Sequence, residues 1–354
     1  MPSRTTSAIL IERHGPPGVL VERSVPLRAP GPEEVTLRVQ AVGVNFADLV
    51  MRAGMYGTVP PRPYSPGFEV TGEIVEVGAE VEGWRAGERA VALIRYGGYA
   101  REVTVHVRNL FRAPASLSAA ECAAVPVAFL TAWFALFETG IARPGDAVLI
   151  LGAGGGVGTA AVQLAVWRGL RAIGTAGAEA KRRFVVEGLG ADACFDSHGD
   201  WEGEVRALVG GRGIDIALDA MGGRATASCR RLLAPLGRLV FYGMSEAVPG
   251  QRRNWLRAAW AWLTTPRIHP YALVEPCIGV AGIHLLHLGP KEDILRSALE
   301  RLFAAVVAGE LRPVLDRTFP LTGPGAVAAH RYIHERRNLG KVVLVAPDAE
   351  PAAR

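Results

Sequence analysis

Residues 147–166 read AVLILGAGGGVGTAAVQLAV. Residues 147–151 are an apolar run of strand length, the turn that follows is almost all small residues, and from Val157 an apolar helical pattern opens. The passage predicts a strand, a tight turn and a helix. Absent side chains at Gly154, Gly155 and Gly156 leave the main chain open to a pyrophosphate. Gly158 lets the helix pack close to the strand, and the N–H groups of the first turn, Val157 among them, face the anion. The chemistry suggested is dinucleotide binding. The string G-x-G-x-x-G is absent, because Ala153 opens the frame 153–158, so the flanking strand and helix carry the reading.

The next stretch, 170–177, is a second short strand containing Gly174 and Thr175 and ending in small residues. A cofactor with a free ribose 2′-hydroxyl meets an Asp or Glu about 20 residues past the glycines, and none stands there. Lys181, Arg182 and Arg183 follow instead, offering positive charge to a 2′-phosphate, so NADPH is favoured over NADH. The alternative for these three is an ordinary solvated helix face.

A length of 354 residues predicts two domains, and 49% hydrophobic with 21% charged residues suits a globular chain with a large core. The net charge of +5 comes from scattered Arg rather than one basic block, which argues against a nucleic-acid partner while favouring anionic cofactors and lipid surfaces. Cys122, Cys194, Cys229 and Cys277 lie far apart with no paired spacing, against a disulfide framework or a zinc lobe. The opening MPSRTTSAILIERHG has no apolar signal core, and no 18 apolar residues run uninterrupted. The expectation is a soluble, cytoplasmic protein.

Up to about Pro126, short alternating runs at 8–12, 34–39, 70–77, 89–93 and 99–105 are bounded by Gly or Pro, the pattern of an antiparallel β domain. Beyond residue 170 a βα rhythm follows, with strands at 193–195, 214–218 and 238–242 and a helix at 201–209. That alternation predicts a doubly wound parallel sheet with ligands outside the carboxyl ends of its strands. A last strand at 277–281 and an amphipathic helix at 294–308 complete the expectation.

Three segments carry a resemblance: Gly43-Val44-Asn45-Phe46-Ala47-Asp48-Leu49, then Arg52-Ala53-Gly54-Met55-Tyr56, then Pro63-Tyr64-Ser65-Pro66-Gly67-Phe68-Glu69. With the closing Gly340-Lys341-Val342-Val343-Leu344, the chain resembles the medium-chain dehydrogenase/reductases over nearly its full length. Within them it is similar to the zinc-free quinone oxidoreductases that include zeta-crystallin, and to the vesicle amine transport protein homologues. The resemblance implies a GroES-like antiparallel β domain at 1–126 with 285–354 and a Rossmann domain at 127–284. In the zinc alcohol dehydrogenases of the superfamily a Cys stands at the place of Asn45 and Gly-His-Glu at the place of 67–69. Asn and Phe supply neither thiolate nor imidazole, so metal-free chemistry is implied.

The same resemblance implies roles for single residues. Asn45 positions cofactor or substrate through its amide, Tyr56 offers a phenol to the substrate cleft, and Asp48 faces the same side of a helix as Asn45. Their structural alternatives are a helix cap, a packing residue and a backbone anchor. Thr131, on a helix at 127–133, lies near the nicotinamide or else bonds back to its own turn. Ser197, Asp219 and the run Phe241, Tyr242, Gly243 line the cofactor cleft at strand ends, and Asn338 reaches the cofactor.

Residues 251–275, QRRNWLRAAWAWLTTPRIHPYALVE, combine Arg252, Arg253, Arg257 and Arg267 with Trp255, Trp260, Trp262 and Tyr271, and positions 256, 259, 260 and 263 fall at helical spacing. A lid, a dimer contact, an interfacial membrane helix and a plain packing helix all remain open. His330 and His334 stand at i, i+4 with no third ligand in view and read as a helix surface. The function expected is NADPH-dependent, zinc-free hydride transfer to a quinone or α,β-unsaturated carbonyl. An enoyl-thioester reductase and a membrane-associated NADPH-binding protein with little catalysis are the alternatives. Relatives of this kind are commonly dimers, so a homodimer is expected.

Overall fold

Strand 147–150 is apolar at all four positions because helices cover both of its faces, and all four residues are buried. In the computed structural model, which describes residues 4–57, 59–248, 250–251 and 254–349, it is a central strand of a six-stranded parallel sheet. The spatial order is Ala193–Asp196, Arg171–Ala176, Ala147–Ile150, Ile214–Asp219, Leu233–Phe241, Gly279–Gly282. Chain direction through the sheet reverses between Ala147–Ile150 and Ile214–Asp219, which opens a crevice at their carboxyl ends. The last strand starts two residues later than 277. Cys277 sits in a turn at φ 53°, and its carbonyl accepts the Leu236 N–H at 2.6 Å.

A second sheet of seven strands is built around Glu34–Val44, which pairs antiparallel with Glu69–Val77, Glu102–His106 and Lys341–Val345. Arg89–Leu93 and Leu110–Arg112 extend it. At the opposite edge Leu315–Pro320 runs parallel to Lys341–Val345, because the helix Gly323–His334 between them returns the chain to the same end. Thr5–Ile11 and Leu20–Pro26 form a separate antiparallel pair. The sequence reading contains neither Leu20–Pro26, Leu110–Arg112 nor Leu315–Pro320. Leu20–Pro26 and Leu315–Pro320 are charged and largely exposed, and Leu110–Arg112, though buried at Leu110 and Phe111, is only three residues long.

Three helical regions differ from expectation. The stretch Ala119–Thr139 is long and apolar enough by composition to cross a membrane, yet 78% of its apolar window is buried, as in a core helix, and its last six residues, Phe134–Thr139, form a π-helical turn. His330 and His334 are not on a helix surface: they are 0% and 8% exposed, against Tyr99 and Arg52 respectively. In the helix Trp255–Thr264, Ala258 and Ala261 pack on Ala53, Ala247 and Val248, while Leu256, Trp260 and Leu263 face solvent. The neighbouring Arg252 and Arg253 lie outside the described residues.

Candidate functional site

The glycine turn has the shape its composition dictates. A Cβ on Gly158 would lie 2.3 Å from the Gly152 carbonyl oxygen, so only glycine lets the helix Gly156–Trp167 start this close to the strand before it. Gly174 faces Ala153 in the same way, at 2.7 Å. Thr175 braces the turn from the neighbouring strand, its hydroxyl accepting the Gly152 N–H at 3.3 Å and its carbonyl the Ala153 N–H at 2.9 Å. Gly155 caps the helix without a side chain, leaving the first-turn N–H groups at Gly156 and Val157 free of any side-chain cap. Uncapped N–H groups at a helix N-terminus, with no side chains at Gly154, Gly155 and Gly156, suit the diphosphate of a dinucleotide.

The C-terminal strand closes over the turn. The Gly340 N–H donates to the Gly154 carbonyl at 2.8 Å, and Gly155 and Gly340 form a parallel bridge. This brings Lys341, a residue the sequence reading used only as a family mark, to the floor of the crevice, where a Cβ on Gly156 would touch its Cδ at 3.5 Å. The Lys341 ammonium donates to Asn45 Oδ1 at 2.6 Å and pairs with Glu69 Oε1 at 2.6 Å, with side chains 5% and 0% exposed. Asn45 Nδ2 donates to Glu69 Oε1 at 2.8 Å and to the Gly43 carbonyl at 3.3 Å, and the Val127 N–H donates to Glu69 Oε2 at 2.7 Å.

This network orients the Asn45 amide. Its oxygen faces an ammonium and its nitrogen a carboxylate, so both N–H groups are used and only an oxygen lone pair remains for a ligand. Lys341 keeps one N–H beyond the two it spends. Asp48 is fully buried and spends Oδ2 on the Asn45 N–H and Oδ1 on the Gly67 N–H, both at 2.8 Å. Burial pushes its pKa up to about 7 against the pull of those two bonds. It anchors the loop before the helix Phe46–Ala53.

Tyr56 follows the helix Phe46–Ala53 and meets a residue at the carboxyl end of the parallel sheet. Its hydroxyl lies 3.0 Å from His284 Nε2, and its ring packs on Phe68 at 5.9 Å and on His284 at 5.7 Å. His284 follows the edge strand directly, since the preceding Ile283 N–H donates to the Phe241 carbonyl at 2.8 Å. Burial pushes the Tyr56 phenol up to about 12, and burial with the neighbouring His287 lowers the imidazole, so both are neutral near pH 7. A lone His in a loop, as His284 is, carries no sequence signal.

The remaining candidates spread along the crevice. Thr131 is buried one turn beyond Val127. Asp219 turns its carboxylate to the Met221 and Gly222 N–H groups and the Thr226 hydroxyl, an arrangement that shapes the strand end. Phe241 ends its strand, the Tyr242 N–H donates to the Asp219 carbonyl at 3.1 Å, and Gly243 is exposed beside Ala220. Ser197 sits over Gly177 at the far end with His198. Lys181 spends its ammonium on the Arg336 and Asn338 carbonyls, both at 2.6 Å, and packs its stem on Gly154. Asn338 Nδ2 donates to the Gly340 carbonyl at 2.9 Å.

Comparison with known proteins agrees with this architecture. Residues 31–115 match the alcohol dehydrogenase GroES-like domain, and residues 189–344 match the zinc-binding dehydrogenase family. The zinc of that description does not fit the residues here. Phe68 has no donor atom, Glu69 is paired with Lys341, and no three His, Cys, Asp or Glu side chains gather to hold a metal among the described residues. The mouse synaptic vesicle membrane protein VAT-1 homolog is 37% identical over 319 residues, covering 90% of this chain and 77% of that protein. The quinone oxidoreductase of Lama guanicoe is 31% identical over 345 residues, covering 97% and 98%. The solved structure of mycobacterial Rv1454c complexed with NADPH superposes with a TM-score of 0.83 at 26% identity, over 96% of this chain and 99% of that one. With the two sheets, the glycine cradle and the crevice between them, these matches make the chain a member of the medium-chain dehydrogenase/reductase family of oxidoreductases, on its quinone oxidoreductase-like side.

Proposed function

We propose that this protein is an NADPH-dependent, metal-free reductase of a quinone or α,β-unsaturated carbonyl. The observation that carries the reading is the neutral Tyr56–His284 pair, which joins the loop after the helix Phe46–Ala53 to the carboxyl end of the parallel sheet. A reduced nicotinamide dinucleotide phosphate, when bound, supplies the hydride. Support for the phosphorylated form is that neither the end of the strand Arg171–Ala176 nor Gly177 and Ala178 after it is acidic, the first acid being Glu179, with the cluster Lys181, Arg182 and Arg183 beyond.

The chain's own groups do the rest. The first-turn N–H groups and the third N–H of Lys341 bind the diphosphate, and the lone pair left on Asn45 Oδ1 fixes the orientation of the ligand beside it. Tyr56 Oη donates its proton to the acceptor oxygen as negative charge develops there. It recovers one from His284 Nε2, while Nδ1 of the same imidazole takes a proton from water. No charged intermediate is left on the protein.

The test is loss of nicotinamide absorbance with NADPH or NADH against 1,4-benzoquinone, 9,10-phenanthrenequinone, an alkyl enone and crotonyl-pantetheine. Turnover that prefers NADPH and falls ten- to a hundredfold in Tyr56→Phe is expected. Turnover of the thioester alone moves the acceptor to the enoyl class, and failure to bind either nucleotide refutes the reading.

We propose in addition that the protein, a cytoplasmic homodimer in this reading, rests part of its surface on anionic membranes. Trp255, Leu256, Trp260, Trp262 and Leu263 are 63%, 85%, 57%, 68% and 69% exposed on one helix that also carries Arg257. The expected result is sedimentation with phosphatidylserine vesicles that is lost when the three Trp are replaced by Ser. A wild-type chain that ignores such vesicles ends the proposal.

A further inference from the structure

A second cleft, of about 540 Å³, opens where residues 126–139, the carboxyl end of the helix Gly156–Trp167 and the helix Glu292–Val307 meet. That volume lies in the range of small-molecule sites. Twelve residues of helix, about 18 Å at 1.5 Å rise per residue, separate this end from the glycine cradle. The two sites are therefore distinct.

Its walls are aromatic and cationic. The Trp133 and Phe137 rings meet edge to face at 4.8 Å, and the Arg168 guanidinium lies 5.3 Å from the Trp167 ring centre and 5.8 Å from that of Phe137. Arg301 stands on the other side, and Ala304, Ala305 and Ala308 leave the space between open. Among the described residues no carboxylate pairs with Arg168 or Arg301 within 4.0 Å, although Glu310 stands at the rim.

Two backbone irregularities converge on the same spot. The π-helical turn Phe134–Thr139 widens the helix where Phe137 joins the wall, and Ile141, a β-branched residue, is held at φ 55° beside Ala142, which lines the cleft. Such conformations persist where the surroundings impose them, and they cluster at ligand sites.

We propose that this cleft is a ligand site, separate from the cofactor crevice, that takes a small aromatic carboxylate. Its ring lies against Trp133, Phe137 and Trp167 over the alanine floor, and its carboxylate meets the unpaired guanidinium groups of Arg168 and Arg301. The assignment stands whether or not the crevice reduces quinones.

The experiment is calorimetric titration of the full chain with 2-naphthoate, and with 2-naphthamide as the uncharged isostere. Saturable 2-naphthoate binding is expected, weakened about fivefold in each of Arg168→Gln and Arg301→Gln, with 2-naphthamide binding more weakly and indifferent to both changes. Ala304→Phe, an exposed position that tolerates a larger side chain, abolishes binding of both. Excess NADPH leaves the 2-naphthoate isotherm unchanged. No binding at millimolar 2-naphthoate, equal affinity for the amide, or displacement by NADPH overturns the assignment.

Discussion

Lys341→Met separates the two halves of a buried ion pair and so measures what the pair does. Glu69 is 0% exposed, and without the ammonium at 2.6 Å it keeps only the Asn45 Nδ2 and Val127 N–H groups as partners. Removing one member of a buried pair costs about 3–5 kcal/mol because the other charge stays behind in low dielectric. The two remaining hydrogen bonds place the cost near the lower figure, about 3 kcal/mol. For a unit of 150–250 residues that is roughly 6–12 °C in Tm. The double variant Glu69→Gln/Lys341→Met removes both charges and should recover most of the loss, since replacing a whole buried pair is often close to neutral. With two sheets and separate cores the chain is not expected to unfold in one step, so transition midpoints by circular dichroism are the quantity to compare. Lys341→Met melting within 2 °C of the parent, or a double variant less stable than either single, would show that the pair is not the buried unit described.

Other consequences are as direct. Gly158→Ala should weaken NADPH at least tenfold in a fluorescence titration, because the new Cβ falls 2.3 Å from the Gly152 oxygen, while Gly154→Ala, meeting the side chain of Lys181 at 3.1 Å rather than main chain, should weaken it less. His284→Gln should lower kcat more than KM and flatten the pH profile of Tyr56-dependent turnover; unchanged kcat excludes the relay. The His334 imidazole is pushed down to about 4 by burial and then by the Arg52 charge, and His330 lies well below its usual range for the same causes. Folded values below the unfolded one mean stability fully present above about pH 6.5 and lost as pH falls through about 4. Asp48, raised to about 7, opposes this over the same window, its contribution fading as pH rises. Urea midpoints between pH 7 and pH 4 should therefore fall less steeply in His334→Gln than in the parent; parallel slopes would exclude His334 as a contributor.

The parallel sheet was readable because strands covered on both faces become short apolar runs, as AVLI at 147–150 shows, and because a turn that admits no Cβ must be written in glycine. The helix at 201–209 ends at its predicted residues, capped by Asp200. What stayed hidden depends on partners far apart in the chain. Lys341 meets Asn45 across 296 positions and Arg52 meets His334 across 282, and nothing local to either residue announces the other. The periodicity at 256, 259, 260 and 263 is that of a helix, but a period does not say which side meets the protein. Ala258 and Ala261 meet it, and the large residues do not. Asn45 was legible as a polar residue at a special place; the direction its amide faces needed the carboxylate and the ammonium around it.

The strand Lys341–Val345 pairs with Glu34–Val44 in the interior of its sheet, while every strand of the parallel sheet lies between residues 147 and 282. During synthesis the parallel sheet has all its strands outside the ribosome first. The earlier segment must wait, with residues 41–44 unpaired on one side beyond the stretch that Glu102–His106 covers, until the chain is nearly finished. That waiting edge is a template for wrong pairing, the more so when translation is slow or many chains are made together. The same late strand brings Lys341 to the glycine turn, so the crevice is assembled only in the last act of folding, and a chain cut short before residue 341 holds every glycine of the cradle without its floor.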